Sequence, residues 1–299
     1  MSDAAVPLRS RIWAGQVIPV VVVVAAIIAI WYAGAVWLNA PWALDQAGRD
    51  EVELSATELV ADTWSQERPV LPAPHQVVQD LWKSTIGTRI TSKRSLFRHA
   101  WITLSATLAG FALGSGLGIL LAVGIVHDRT MNASVMPWVI ASQTIPILAI
   151  APMIIVVLNS IGISGLLPKA IISMYLSFFP VVVGMVKGLR SPNKMLLDQM
   201  HTWNASRSQT FWRLRLPSAV PYLFTSLKIG VAASLVGAII GELPTGAVAG
   251  LGARMLSGSY YGQTVQIWSA LVMAAILAAV LVALVGVAER ATLRMMGGR

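Results

Sequence analysis

Few residues in this chain have the chemistry to act on a solute. Glu242 is the only acid near the end of an apolar run outside the long loops, and it is followed by Leu243, Pro244, Thr245 and Gly246, then by Gly250, Leu251 and Gly252. A carboxylate there could orient or gate a solute at a pore mouth. It could equally cap the turn that follows, and both readings stay open. Lys228 lies ten residues into the fifth apolar run. It could serve as a counter-ion, but its long stem favours an ammonium that reaches back to the membrane surface. The four histidines, at 75, 99, 127 and 201, are scattered, and there is no cysteine. A metal cluster is therefore not expected, and thiolate chemistry and disulfides are excluded. No phosphate-cradling G-x-x-x-x-G-K-[ST] sequence occurs, so energy must come from a partner or an ion gradient. No pair of acid–base groups falls within the apolar runs, so no catalytic residues are expected and the chain is not read as an enzyme.

These residues are carried by apolar segments. The chain has 299 residues, of which 56% are hydrophobic and 12% charged. Soluble domains carry roughly 25% charge, and residues 130–168 contain no Asp, Glu, Lys or Arg. A bilayer crossing needs about 20 apolar residues. Six segments qualify: 17–38, 100–126, 135–158, 170–186, 218–241 and 265–288. The composition thus describes a polytopic membrane protein. The net charge of +9 is read as the positive-inside bias, not as a nucleic-acid footprint. Arg9 and Arg11, the stretch from Lys187 to Arg215, and Arg290, Arg294 and Arg299 fall on one side if six spans are made, and that side is expected to be cytoplasmic. The cluster Lys83, Arg89, Lys93, Arg94 and Arg98 goes against this rule, which weakens for long loops. Cleavage of the first run as a signal peptide, near Ala33, Gly34 and Ala35, is the alternative for that segment.

The outer segment 39–99 is expected to hold two short helices. Ser55 with Glu58 forms a capping-box pattern, and Pro72 to Pro74 precede a stretch in which Val77, Val78, Leu81 and Trp82 share one helix face. That second helix is expected to lie along the membrane surface. In the second run Gly110, Gly114, Gly118 and Ala122 make a small-residue stripe suited to close helix packing. Polar groups and prolines in the third and fourth runs suggest a lined path with kinked walls. Gln143, Thr144, Ser177 and Phe178, with Glu242, are the candidates, and helix–helix hydrogen bonding is the equal alternative for each.

A basic stretch interrupts the spans between Leu189 and Pro221. It contains Asp198, Gln199, Met200, Trp203, Asn204, Ala205, Phe211, Trp212, Leu216 and Pro217. With Pro72, Ala73 and Pro74, Thr144 to Pro146, Phe178 to Pro180, Gly188 to Arg190, and Gly241 and Glu242, it resembles in order and spacing the permeases of ABC importers of the nitrate, sulfonate and taurine type. The family's loop pattern is Glu-Ala-Ala, three residues, then Gly-Ala. Here Asp198 keeps the charge, Gln199 and Met200 enlarge two small positions, and Asn204 stands for the glycine. Asn enters the left-handed conformation more readily than most residues, so the turn is expected to survive.

The resemblance implies an all-α fold with a type I importer core of five helices plus an N-terminal one. The segments are then 1–38 (cytoplasmic start and first span), 39–99 (external), 100–288 (permease, with a coupling loop at 187–217) and 289–299 (cytoplasmic tail). It implies a bacterial inner-membrane location and four kinds of neighbour: lipid, a second permease copy, a cytoplasmic ATPase dimer carrying ATP and Mg, and a periplasmic or lipoprotein substrate-binding protein. The chain itself would hold no cofactor. Asp198, Met200, Trp203, Asn204, Ala205, Phe211, Trp212, Leu216 and Pro217 would form the ATPase-coupling surface. The solute would be a small polar one such as nitrate, a sulfonate or taurine. The alternatives are a pyrimidine-like vitamin precursor in the same machinery, or a transporter driven by an ion gradient.

Overall fold

The computed structural model describes residues 8–244 and 249–297, with side chains from residue 17 onward. The regular elements of the described residues are all helices, without strands. They divide into two units, 8–87 with 257–269, and 88–256 with 270–297.

In the first unit α1 (Leu8–Arg49) is longer than the expected span and runs unbroken through Ala33 to Ala35. Its residues 17–30 are all exposed, as suits a surface meant for lipid. Past the apolar run, Asn39 is fully buried. Its amide donates to the Thr63 and Leu71 carbonyls at 3.1 and 2.9 Å and accepts from the Val70 and Leu71 amides at 2.8 and 3.1 Å. One side chain thereby satisfies four backbone groups of an irregular segment, which would otherwise be costly to bury. The Ser55–Glu58 capping box forms and opens α2 (Ala56–Ser65). Pro74 starts α3 (Pro74–Thr85), but its apolar stripe is split: Val77 is buried while Val78 and Trp82 are exposed.

The second unit is built on α4 (Leu96–His127), α7 (Leu166–Leu189) and α10 (Leu216–Ile240). The glycine stripe of α4 lies against α7. A Cβ at Gly110 or Gly114 would fall inside the envelope of Ser173 or Ser177, and one at Gly118 would come within 2.8 Å of Val181. These contacts rise together along both helices, so α4 and α7 are parallel. Parallel neighbours require an odd number of crossings between them. The third apolar run supplies it as a broken span: α5 (Arg129–Ser142) and α6 (Ile147–Ser160) meet at 98°. Pro146 lacks an N–H and disfavours helix at the residue before it, and the Tyr175 hydroxyl takes the freed Ser142 carbonyl. The apolar run 135–158, read as proline-kinked, is thus broken into two helices. On its other side α7 meets α10, where Gly184 faces Ser226 and Gly188 faces Ala219. Those contacts run in opposite directions, so the pair is antiparallel. Ser173 donates to the Ser234 carbonyl and Ser234 to the Thr107 carbonyl, each at 2.8 Å, tying the three helices through groups with no water to turn to. The segment after α10 leads to α11 (Leu251–Tyr260) and α12 (Thr264–Met295). Lys228 pairs with Glu289 on α12, where the expected cytoplasmic tail begins.

Candidate functional site

The basic stretch folds into an elbow. Asn193 caps α8 (Lys194–Thr202), and α8 ends on Asn204 at φ +51°. The Asn204 amide donates to the His201 carbonyl at 2.9 Å and the Ala205 amide to the Met200 carbonyl at 3.0 Å. That is the two-bond helix ending in which one left-handed residue turns the chain. Asn204 thus adopts the conformation expected of the glycine it stands for. Ser206 then opens α9 (Arg207–Thr210) with a capping box to Gln209, a pattern readable in the sequence and overlooked above. Both sides of the bend are set by local bonds, so its angle is fixed within a few residues.

Beyond α9, residues Phe211–Arg215 form a π-helical turn, and the Leu216 amide donates to the Phe211 carbonyl five residues back. Pro217 has no amide to continue an ordinary helix, which accounts for a wide turn at this place. The turn rolls Phe211 inward. Phe211 is 9% exposed, lies edge-to-face with His127 at 4.9 Å, and joins a core with Ile125, Val139, Phe178, Val182 and Leu189. The expectation that Phe211 is an exposed anchor is corrected: a partner cannot reach it. Trp203 and Trp212 are 67% and 63% exposed. Asp198 is exposed, Met200 and Ala205 are half-buried, and Leu216 and Pro217 are half-buried where the elbow joins α10.

The path candidates are not brought together. Gln143 and Thr144 sit exposed at the α5–α6 break, Thr144 bonding the Ala141 carbonyl at 2.8 Å. Ser177 and Phe178 are buried, Ser177 between α7 and the Gly110 carbonyl and Phe178 in the core beside Phe211. Glu242 is fully buried. It accepts from the Thr103 hydroxyl at 2.9 Å and the Gly252 amide at 3.0 Å and pairs with Lys169 at 3.5 Å. Burial pushes its carboxyl above the ordinary carboxylate range, against the pull of Lys169, Gly252 and Thr103. His99 bonds Gly250 at 3.0 Å in the same cluster. Ser177, Phe178 and Glu242 therefore present no surface to a solute in this conformation. Glu242 instead joins Thr103 of α4, Lys169 of α7 and the Gly252 amide of α11. Sequence reasoning missed Lys169, Thr103 and His99 because their partner lies 70 or more positions away.

Residues 114–294 match the family described as binding-protein-dependent transport system inner membrane component. The chain belongs to that family. It is an ABC-importer permease of the inner membrane, a transport component, and the reading as an ion-gradient transporter falls away. The formylaminopyrimidine transport permease protein ThiX of Halalkalibacterium halodurans is 35% identical over 61% of this chain and 68% of its own. The riboflavin transport system permease protein RibX of Chloroflexus aurantiacus is 31% identical over 75% and 80%. The putative aliphatic sulfonates transport permease protein SsuC of Bacillus subtilis is 24% identical over 75% and 78%. An inward-facing structure of the MetNI methionine ABC transporter shares the fold, with a TM-score of 0.58 at 21% identity over 66% of this chain and 95% of that one.

Proposed function

We propose that this permease takes up a small nitrogen-heteroaromatic solute, driven by an ATPase that docks on the α8–α9 elbow. The observation that carries the docking is the elbow itself: a bend fixed by Asn204 and two caps, with Trp203 and Trp212 exposed outside and Phe211 locked into the helix core. A push on the exposed tryptophans has a rigid route through Phe211 to α4 and α7. Exposed aromatics are the usual anchors of such contacts. Asp198, Met200 and Ala205 complete the surface, and Leu216 and Pro217 join it to α10.

The rest of the assembly follows the importer plan: two ATPases carrying the ATP and Mg, a second copy of this chain, a substrate-binding protein outside, and no nucleic acid or cofactor on this chain. On the six-span reading, the distribution of basic residues assigns both termini and the elbow to the cytoplasmic side. The residues before α2 and those of α2 and α3 then face the binding protein's side.

The solute class is supported by the names of the two relatives above 30% identity, against the sulfonate relative at 24%. The nitrate, sulfonate or taurine reading is the second choice. Because the chain has no cysteine, Gln199→Cys places one reactive thiol on the exposed side of α8. It should crosslink to the ATPase in vesicles that transport, and transport without a crosslink there or from Trp203→Cys would overturn the docking. Uptake of labelled aminopyrimidine against labelled taurine in the same vesicles tests the solute.

A further inference from the structure

The elbow has a second face. Leu197 and His201 lie one turn apart on α8, while Met195, Leu196 and Trp203 are on its opposite side. Behind Leu197 and His201 is a cleft of about 400 Å³ lined by four basic side chains, His127, His201, Arg207 and Arg215, together with Thr210, and by no acidic one. Their donors are largely uncommitted. Arg207 and His201 have no side-chain partner among the described residues. Arg215 gives one N–H to the Leu189 carbonyl at 3.0 Å and keeps the others. His127 commits its Nδ1–H to the Val123 carbonyl at 2.9 Å, so its Nε2 donates only in the imidazolium form. Two acids adjoin lining residues in sequence: Asp128 is occupied in capping α5 through the Thr130 amide at 2.7 Å, and Asp198, beside Leu197, is exposed.

We propose that this cleft binds a small oxyanion of the phosphate or sulfate class, held chiefly by Arg207 and Arg215 with His201 and Thr210 beside them. Two guanidinium forks match the geometry of such an oxyanion, and Ala205, shared with the docking surface, completes the lining. An anion here would link α8, α9 and the π-helical turn and so stiffen the bend from behind. Binding stands on the geometry alone; any effect on coupling rests on the docking proposed above. Free inorganic phosphate and the phosphate of an anionic lipid share this chemistry.

Hydrogen–deuterium exchange over residues 194–215 of the permease–ATPase complex separates these sources. In phosphatidylcholine nanodiscs, inorganic phosphate should protect the elbow amides saturably, while potassium chloride of equal ionic strength should not. Arg207→Gln and His201→Gln should each weaken the phosphate response, by roughly tenfold for the arginine, and Arg213→Gln, which does not line the cleft, should leave it unchanged. Arg207 and His201 make no internal side-chain bonds, so neither variant endangers folding, and phosphate bound on the ATPase would respond to none of the three. The same protection in phosphatidylglycerol nanodiscs without phosphate, lost in Arg207→Gln, would assign the site to a lipid headgroup. Protection in neither membrane, or an equal loss in Arg213→Gln, would overturn the site even if the ATPase still docks.

Discussion

The two ends of α4 differ in what they leave unsatisfied. Near its start, Thr103 and His99 meet Glu242, Lys169, Gly250 and Gly252, and every charge and amide in the cluster has a partner inside the chain. Near its finish, roughly 36 Å away along the helix, His127 and Phe211 seal the core while Trp203, Trp212 and Arg207 stay outside it. One end is closed on itself and the other is open to partners. A polar residue at a span's end thus says little about function until its partners are counted. The buried acid is structural in this conformation, and the exposed aromatics are where binding free energy remains to be gained.

The sharpest way to break this comparison is at the closed end. Glu242→Leu would leave the buried Gly252 amide without an acceptor, and Lys169 and Thr103 with only the Ala249 and His99 carbonyls. Removing one partner of a buried pair costs about 3–5 kcal/mol, so membrane yield and the thermal midpoint should fall together. Glu242→Gln keeps an acceptor for Thr103 and Gly252 and should fall less. A stable Glu242→Leu protein with impaired transport would return this residue to the solute path.

Phe211→Ala tests the open end from the inside. Truncating a buried aromatic costs about 3–5 kcal/mol, so Phe211→Ala should destabilise the permease even without an ATPase. Thermal unfolding of the isolated permease decides it. An unchanged midpoint would mean that Phe211 is not part of the core, and the rigid route from elbow to helices would be lost.

Much of this architecture was legible because it is local. The Ser55 capping box and the proline start of α3 depend on residues within five positions of one another, each span on one continuous run, and the turn at Asn204 was legible through the family's loop pattern. The glycine stripe announced a seam but not its partner, since Ser173, Ser177 and Val181 lie some 63 positions on. Gly184, Ser234 and Thr107 went unread because a small residue in an apolar helix has no direction until a neighbour is known. The same limit hid Asn39 and Glu289, polar groups whose partners are 24 or more positions away. Phe211 was misplaced because apolar periodicity does not reveal that a π-helical turn rotates it inward.

At the bend itself the expected effect is smaller. A residue with a β-carbon pays roughly 1–2 kcal/mol in the left-handed conformation, and a β-branched one is the poorest fit. Asn204→Val should keep its membrane yield but lose coupling, seen as ATP hydrolysis without uptake, whereas Asn204→Gly should match the parent. Equal transport by the valine and glycine variants would show that the αL turn is not what aligns α8 with α9.

The smallest expected effect on stability, and the most telling for the comparison, belongs to Trp203. Its side chain is 67% exposed and makes no core contact, and surface substitutions of this kind usually change stability by about 0.5 kcal/mol or less. Trp203→Ala should therefore unfold at the parent's temperature. If the open end is a docking surface, the same change should cost about 2 kcal/mol or more in ATPase association, the range seen for buried aromatic anchors. That loss corresponds to about a thirtyfold weaker complex. Trp212→Ala, on the far side of Phe211, provides the second reading. Co-purification and thermal unfolding, measured on the same preparations, separate the two quantities. Unchanged association in both variants would show that the exposed tryptophans face lipid or water, and the difference between the two ends of α4 would then be one of burial without function.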